Sequence, residues 1–348
     1  MLYRSDLQRM SPRFMVYLSK LGLRLCRYTT LRVLGLDEKQ VEFRNREGIR
    51  EFDFTMPNLS DRDGMAAIIR ARNEEDKIGY CLASIYDVFD QIVVVDNNST
   101  DETVALVQDF KARHDAANKI SLHSYPFDLA KWGDENAAMP EDSVRSIVYF
   151  TNYALSLCLV KTLCRWDADM VLIPEQKARV AEFFRRLGRG TWTRWGIYGQ
   201  TIYRGLDDDF YTSPRDVDRE TRILPFSYHN RFFNAGVFEA ITSPLYRRVF
   251  EEPIFYEMKF CSADEHINWA VGVDGKEGAR TVSPRLAKDF EILGRLRSRQ
   301  PLDADYASLG KGFLDRILGV HCGGQPCICT HEAMDSAANP VCRSQDIT

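Results

Sequence analysis

The chain has 348 residues, of which 28% are charged and 45% hydrophobic, and its formal net charge is −4. This composition is typical of a globular protein and excludes a disordered or fibrous one, and the slight excess of acids argues against a dedicated nucleic-acid-binding protein. No run of about 18 apolar residues occurs, so we expect no transmembrane span, and the amino terminus lacks the pattern of a signal peptide. Nine cysteines in a chain of this size predict reduced thiols in a cytosol-like compartment.

The amino-terminal segment is strongly basic. Its first 35 residues contain seven lysines or arginines but a single acid, Asp6. Ser11 and Pro12 often begin helices, and the apolar and basic residues that follow fall on separate sides of a helix over residues 11–28. This helix either packs on the main domain with a solvated basic edge or contacts anionic lipid. We therefore expect a cytoplasmic protein, with peripheral contact at the inner face of a membrane as the alternative.

Between residues 65 and 123, short apolar runs alternate with amphipathic stretches. The pattern predicts strands at 65–69, 91–96 and 119–123, separated by a helix at 78–89 and a second helix for which Ser99 and Glu102 have capping-box spacing. This alternation predicts an α/β fold with a mostly parallel central sheet and helices on both faces. Ligands of such sheets bind beyond the carboxyl ends of the strands, here at loops 70–75 and 96–100.

The rest of the chain has a less regular pattern. Residues 124–143 are polar and predict a loop, and a buried helix is expected within 143–163. It leads into a strand-like segment at 165–173. A helix at 174–187, further strands within 191–240, and helices at 264–272 and 303–318 complete the prediction.

Two acids, Asp167 and Asp169, interrupt the otherwise apolar segment 166–173. Burial of a carboxylate costs several kcal/mol unless a cation or hydrogen-bond donors compensate it. A hard divalent cation bound by one or two carboxylates and by substrate phosphates fits this pattern, and a capped turn with two solvated acids is the simpler alternative.

Asp96 ends an apolar strand and precedes Asn97, Asn98 and Ser99. An acid in this position can accept hydrogen bonds from ribose hydroxyls or from a base N–H, although a role in helix capping is also open. No glycine-rich dinucleotide or P-loop motif occurs, which argues against a nicotinamide dehydrogenase and a P-loop nucleotidase. A phosphate-bearing ligand would then have to be neutralised by a metal ion.

Three segments resemble successive blocks of the family-2 glycosyltransferases, which have the GT-A fold. They are MAAIIRARNEEDKIGYCLASI (65–85), QIVVVDNNSTDETVALV (91–107) and CRWDADMVLIPE (164–175). The family usually has proline where this chain has Arg70. The resemblance implies that the nucleotide is held by Ala71, Arg72, Glu74 and Asp96. It also implies that Asp167 lies near the donor ribose and that Asp169 is the main ligand of Mn²⁺ or Mg²⁺.

Inverting members of this family use a carboxylate to remove the acceptor proton. The resemblance places this carboxylate in the segment 262–266. Asp264 is the first candidate and Glu265 the second. A sugar hydroxyl is a poor nucleophile until a positioned base takes its proton. The alternative is that these acids stabilise the first turn of a helix.

Two further groups of residues allow more than one interpretation. The carboxyl-terminal cluster that begins at His321 and Cys322 has three interpretations. It could bind structural zinc, it could contribute His321 as one more ligand of the catalytic metal, or it could be a tail with reduced cysteines. Trp192, Trp195, Tyr198 and Tyr203 either form a sugar-binding surface or belong to the core.

The sequence thus predicts a metal-dependent, inverting glycosyltransferase of polysaccharide biosynthesis. It would move a sugar from a nucleotide-diphosphate sugar to a hydroxyl of a glycan or lipid-linked acceptor, with no nucleic-acid partner. The alternatives are a sugar nucleotidyltransferase and a non-catalytic protein that binds nucleotide or carbohydrate. The expected domains are an amino-terminal helix and connector (1–63), the catalytic domain (64–290) and a carboxyl-terminal extension (291–348).

Overall fold

The computed structural model of the chain describes residues 40–58, 60, 62–131, 133–236, 239–261 and 284–321. The predicted amino-terminal helix, the predicted helix at 264–272, the candidate bases Asp264 and Glu265, and the carboxyl-terminal cysteines lie outside these residues. Within them, no helix is long and apolar enough to cross a membrane.

The first half of the described chain alternates strands and helices. Between residues 65 and 124 their order is the one that the hydrophobic pattern predicts, whereas the segment 124–143, predicted as a loop, contains a short helix at Asp134–Ala138. An antiparallel pair of strands, β1 (Gln40–Phe43) and β2 (Phe54–Pro57), comes first. It is followed by β3 (Met65–Ala71), α1 (Ile78–Ile85), β4 (Gln91–Asp96), α2 (Thr103–His114) and β5 (Ile120–Ser124). The next elements are α3 (Asp134–Ala138), α4 (Ile147–Ser156), β6 (Thr162–Arg165), β7 (Met170–Leu172) and α5 (Lys177–Gly188).

The second half is dominated by long strands. Its elements are β8 (Thr193–Arg204), β9 (Phe210–Pro225), β10 (Arg231–Asn234), β11 (Glu239–Thr242), β12 (Tyr246–Phe260), α6 (Pro284–Arg297), β13 (Ala307–Ser308) and α7 (Phe313–His321). The segment 303–318, predicted as one helix, contains β13 and then the start of α7. The segment 165–173 is not one strand, because the chain turns at Asp167–Asp169 between β6 and β7, which pair with different neighbours.

The central sheet has the order β5-β4-β3-β6-β9-β8-β12-β7, with β13 paired to β9. Strands β5, β4, β3 and β6 are parallel to one another. Beyond β6 the directions are mixed, because β9 runs antiparallel to both β6 and β8 whereas β12 is parallel to β8. The α/β fold with a parallel central sheet is confirmed, and the antiparallel strands lie in its second half.

Both faces of the sheet are covered, as the uninterrupted apolar runs of β3 and β4 predict. Alternate residues of a strand point to opposite faces. Met65 and Ile69 accordingly pack in one core with α1 and α5, whereas Ala66 and Ile68 pack in the other with α4 and β2. The second core includes Phe54 and Met56 of β2, so the segment before the predicted boundary at residue 63 packs on the sheet.

Gly199 of β8 has the least room for a side chain among the glycines of the described chain. A Cβ atom at this position would lie 2.3 Å from the carbonyl oxygen of Phe255 and 2.4 Å from its ring. We therefore expect Gly199→Ala to lower the free energy of unfolding by about 1–3 kcal/mol, measured by urea denaturation. Gly294→Ala in α6 is the control, because a Cβ there meets nothing within 4 Å. Equal stability of the two variants would contradict this packing.

Candidate functional site

A cavity of about 930 Å³ opens at the carboxyl ends of the parallel strands. Its walls come from the loop after β3, the loop before α3, the β6–β7 turn and parts of β8, β9, β11 and β12. Nine arginines and three lysines line it, against nine carboxylates. This surplus of positive charge contrasts with the net charge of −4 for the whole chain and favours an anionic ligand.

Most of the predicted site residues lie in this cavity. Ala71, Arg72, Glu74, Asp167 and Asp169 all contribute to its walls. Asp96 lies directly beside Ala71 in the register of β3 and β4, but its neighbour Asn97 is the residue that lines the cavity. His321 ends α7, and nothing is described of its side chain.

The two predicted loops are joined to each other by hydrogen bonds. The backbone N–H of Asn73 donates to Ser99 Oγ (2.9 Å), and that of Glu74 donates to Thr103 Oγ1 (2.7 Å). In return, Asn73 Oδ1 accepts from the N–H of Thr100 (2.8 Å). Asn73 and Asn98 have positive φ angles, which asparagine tolerates better than most residues. These cross-links hold the wall of the cavity in one shape.

The predicted capping box is wrong. Helix α2 begins after Glu102, whose side chain accepts no capping hydrogen bond, and the N–H of Thr103 donates to Asp101 Oδ1 (3.0 Å). The hydroxyl oxygen of Ser99 instead accepts a hydrogen bond from the N–H of Asn73. A loop from another part of the chain thus competes successfully for the group that local spacing assigns to the helix.

The carboxylate of Asp96 is buried, with a residue exposure of 7%. Its Oδ2 accepts a long hydrogen bond from the N–H of Ser99 (3.3 Å). In the described part of the chain, no group donates to its Oδ1. An unpaired buried oxygen of this kind costs about 1–3 kcal/mol, and more when it is charged, so it needs an explanation.

An ion-pair network joins the two acids of the Asp-x-Asp motif. Arg222 of β9 binds both Asp167 and Asp218, and Arg285 of α6 binds Asp218. Arg285 also binds Glu257 of β12, and Lys259 Nζ lies 3.1 Å from Glu257 Oε1 and 2.8 Å from Asp169 Oδ2. Charges of opposite sign therefore alternate from Asp167 to Asp169, and most of these side chains are buried.

A β-bulge directs Arg222 into this network. Trp195 pairs with Ile223 and Gly196 pairs with Thr221, which leaves Arg222 as the extra residue of β9. Bulges of this kind often redirect a side chain next to a functional site. Burial disfavours the ionised forms of Asp167 and Asp218, but the nearby arginines together outweigh it and lower the pKa of both carboxyls. Arg222 acts on both of them, Arg165 and Arg70 act on Asp167, and Arg285 acts on Asp218.

The side chains of Asp167 and Asp169, as arranged in this structure, are not available as ligands of a divalent cation. Lys259 is already the counter-ion of Asp169, and Arg222 is that of Asp167. Among the residues that the structure describes, no three histidine, cysteine or carboxylate side chains are grouped closely enough to hold a metal. The metal-ligand roles of Asp167, Asp169 and His321 stay predictions.

A second set of ion pairs is linked to the first through Glu220, which pairs with both Arg165 and Arg222. Glu239 of β11 accepts hydrogen bonds from Arg70 Nη1 (3.0 Å), Arg165 Nη1 (3.3 Å) and Thr151 Oγ1 (2.6 Å). The pair β10–β11 is thereby tied to β3, β6 and α4 at the wall of the cavity. The sequence carries one signal for this contact, the basic residue at position 70 in place of the proline usual in the family. It carries no signal for Arg222, Glu239 or Lys259.

Residues 66–123 match the family model described as glycosyl transferase family 2. The matched segment runs from β3 to β5 and so contains the parallel strands and both cross-linked loops. The family-2 resemblance found in the sequence is confirmed for this segment of the chain. No curated protein is significantly similar to it in sequence.

Solved structures show weaker similarities. S. aureus TarS is 15% identical, with 74% of this chain and 70% of that chain covered and a TM-score of 0.30. Glucosyl-3-phosphoglycerate synthase from Mycobacterium tuberculosis, in complex with uridine diphosphate, is 19% identical, with 41% of this chain and 45% of that one covered and a TM-score of 0.26. A further mycobacterial protein is 18% identical, with 41% of each chain covered and a TM-score of 0.26. The chain thus spans less than half the length of these mycobacterial structures, and similarities this weak support no argument about substrate.

Proposed function

We propose that the chain transfers a sugar from a nucleotide-diphosphate sugar to a hydroxyl of a glycan or lipid-linked acceptor. The observation that carries the proposal is the carboxylate of Asp96, buried at the carboxyl end of β4 with no donor to its Oδ1 within the described chain. A ribose hydroxyl or a base N–H would supply that donor. The adjacent loop would hold the rest of the nucleotide through Ala71, Arg72 and Glu74.

The charge of the cavity supports a diphosphate as the ligand. Cationic side chains outnumber carboxylates on its walls, and preorganised positive charge stabilises the negative charge that develops on a departing diphosphate. The sequence predicts Mn²⁺ or Mg²⁺ for this role. Because Lys259 and Arg222 already neutralise the Asp-x-Asp motif, no step of the proposed reaction is assigned to a metal ion.

The reaction itself would be a single displacement at the donor sugar. The acceptor oxygen forms the new bond, the nucleoside diphosphate leaves from the opposite side, and a carboxylate takes the acceptor proton. Asp264, or else Glu265, is the proposed base from the family resemblance. A sugar nucleotidyltransferase would need a glycine-rich activating loop, and the loop at 70–75 contains no glycine.

Asp96→Asn tests the proposal. We expect it to weaken binding of the preferred nucleotide at least about tenfold, which corresponds to about 1.4 kcal/mol. The free energy of unfolding should not fall, because the change removes an uncompensated buried charge. Calorimetric titration with UDP, GDP, CMP and TDP, with and without Mn²⁺, measures the first quantity, and urea denaturation measures the second.

Asp115→Asn is the matched control for this test. Asp115 is also a buried carboxylate, but it accepts hydrogen bonds from the N–H groups of Lys119 (2.7 Å) and Ile120 (2.9 Å) and does not line the cavity. The Asp115→Asn variant should have a lower free energy of unfolding than the wild type and should bind nucleotide with unchanged affinity. A destabilised Asp96→Asn protein that binds nucleotide normally would assign Asp96 a structural role and refute the proposal.

A further inference from the structure

The surplus of positive charge in the cavity lies partly on strands remote from the nucleotide loops. Arg194 of β8, Arg219 of β9 and Arg247 of β12 all line the cavity, and we call these three residues the arginine face. Their strands lie beyond β6 in the sheet, on the side away from β4 and Asp96. The arginine face is therefore separate from the proposed nucleotide site but shares its cavity.

The strand register sets two of these arginines side by side. Arg247 and Arg194 are direct partners in the parallel pair β12–β8. Like charges at paired positions of a sheet destabilise it, so their juxtaposition has a cost. Arg219 and Arg247 form no ion pair with any carboxylate in the described part of the chain. An anionic ligand would pair with the guanidinium groups of Arg219 and Arg247.

Two of the three guanidinium groups lie against neighbouring residues of the sheet. Arg247 lies across Gly196, where a Cβ atom would be 2.8 Å from Nη2 and 3.3 Å from Nε. Arg219 lies over the ring of Tyr198, with 4.7 Å between its Cζ and the ring centroid. Preorganisation of this kind lowers the entropy lost on binding.

Exposed hydrophobic residues adjoin the arginine face. Trp192 lies two residues before Arg194, and Val249 lies two residues after Arg247 and pairs with Gly196, so the alternation of strand residues places both on the side of the arginines. Their residue exposures are 49% and 41%, respectively, so one aromatic and one aliphatic side chain reach solvent beside the arginines. Clustered exposed apolar residues with a polar rim mark binding surfaces more often than isolated ones do.

The aromatic residues singled out in the sequence divide between the two interpretations. Tyr203 is buried, and Trp195 packs edge-on against Phe183 with 4.9 Å between ring centroids, so both belong to the core. Trp192 and Tyr198 lie at the surface instead. The ring of Tyr198 is covered by Arg219, whereas Trp192 is 49% exposed, so Trp192 is the candidate among these four residues for stacking on a sugar.

We propose that the arginine face binds a negatively charged glycan chain, which is the acceptor of the proposed transfer. Guanidinium groups form strong paired hydrogen bonds with phosphate and carboxylate groups, and the ring of Trp192 offers a flat apolar surface to a sugar ring. This inference rests on the proposed function and adds the charge of the acceptor to it. Its position in the same cavity would bring an acceptor hydroxyl towards the donor sugar.

Binding of defined polymers tests the inference on the full chain. The probes are dextran sulfate, neutral dextran, poly-L-glutamate and phosphatidylglycerol-containing vesicles. We expect dextran sulfate to bind and neutral dextran not to bind measurably. Arg194→Ala with Arg247→Ala should weaken dextran sulfate binding at least about tenfold, the loss typical of truncating an arginine in a binding surface. Trp192→Ala should weaken binding of dextran sulfate and leave that of poly-L-glutamate unchanged.

Arg113→Ala with Arg185→Ala is the charge-matched control, because both residues lie on exposed helix faces away from the cavity. It should bind dextran sulfate within about twofold of the wild type. If the double variant of the arginine face does not fold, the single variant Arg247→Ala replaces it in the binding measurements, because Arg247 is exposed.

Three results would overturn the inference: equal loss in both double variants, binding of vesicles without binding of dextran sulfate, or no effect of Trp192→Ala. None of them affects the nucleotide titration. Wild-type protein that binds no nucleotide would refute the proposed function instead, so the two failures are distinguishable.

Discussion

Arg222→Leu is expected to lower the free energy of unfolding by about 3–5 kcal/mol, as measured by urea denaturation. Only 2% of the Arg222 side chain is exposed, and it is the shared counter-ion of Asp167 and Asp218. Its removal leaves both carboxylates without their principal positive charge, and the cost of an uncompensated buried charge is large.

The matched control is Arg185→Leu, because Arg185 pairs with Glu182 on the exposed face of α5. Surface ion pairs contribute about 0–1 kcal/mol, so this variant should remain close to the wild type in stability. A similar loss in both variants would show that the buried network contributes no more than an ordinary surface pair.

The same network predicts how stability depends on pH. Nearby arginines outweigh burial and lower the pKa of Asp167 and Asp218 below the ordinary value of 3.8. A lowered pKa in the folded state gives stability that is present above pH 3.8 and is lost as the pH falls towards the folded-state pKa. Wild-type protein should therefore lose stability below that pH more steeply than Arg222→Leu, in which the two pKa values are less depressed.

The second large effect is expected on catalysis. Asp169→Ala should reduce glycosyl transfer by a factor of about 10² or more while the protein stays folded, because preorganised charge near a leaving group has effects of this size. Asp169 holds the Lys259 amino group at the wall of the cavity, 2.8 Å from its Oδ2. Initial rates of transfer and circular dichroism measure the two properties.

A chelator and a lysine variant test whether the Asp169 carboxylate pairs with Lys259 or binds a divalent metal ion. Because Lys259 already occupies that carboxylate, we expect wild-type protein to bind nucleotide in the presence of EDTA. Lys259→Met leaves Asp169 and Glu257 without this cation and should bind Mn²⁺ at least about tenfold more tightly than the wild type does, since carboxylate oxygens are suitable ligands. Lys288→Met, which removes a lysine–aspartate pair outside the cavity, should not change Mn²⁺ binding.

Loss of nucleotide binding and transfer in EDTA, restored by Mn²⁺, would contradict this expectation. Asp169 would then bind a divalent cation, as the sequence predicts, and Lys259 would have to leave it when the metal enters. The proposed transfer itself would survive that result.

The parallel half of the sheet was predictable because its signals are local. The β-branched run of β4 and the periodic apolar residues of α1 identify their elements within a few residues. The second half depends on pairing between distant strands, such as β6 with β9, and no short-range pattern contains that information.

The candidate site shows the same division. The sequence singles out Asp96, Asp167 and Asp169 as candidates because acids that interrupt or end apolar strands are conspicuous. Their partners were not found, because Arg222 lies 55 residues after Asp167 and Lys259 lies 90 residues after Asp169. An aspartate that binds a metal and one that binds a lysine look alike until the opposite strand is in place.

The contact between Arg70 and Glu239 predicts which residues occur together at these two positions in related sequences. The Glu239 side chain is only 3% exposed, and Arg70 supplies one of its two cationic partners. A relative that keeps the proline usual in the family at position 70 cannot supply that partner, so a buried acid at position 239 would lose half of its compensating charge. Positions 70 and 239 should therefore covary among homologues, and the pair β10–β11 should be transferable between relatives only together with the residue at position 70.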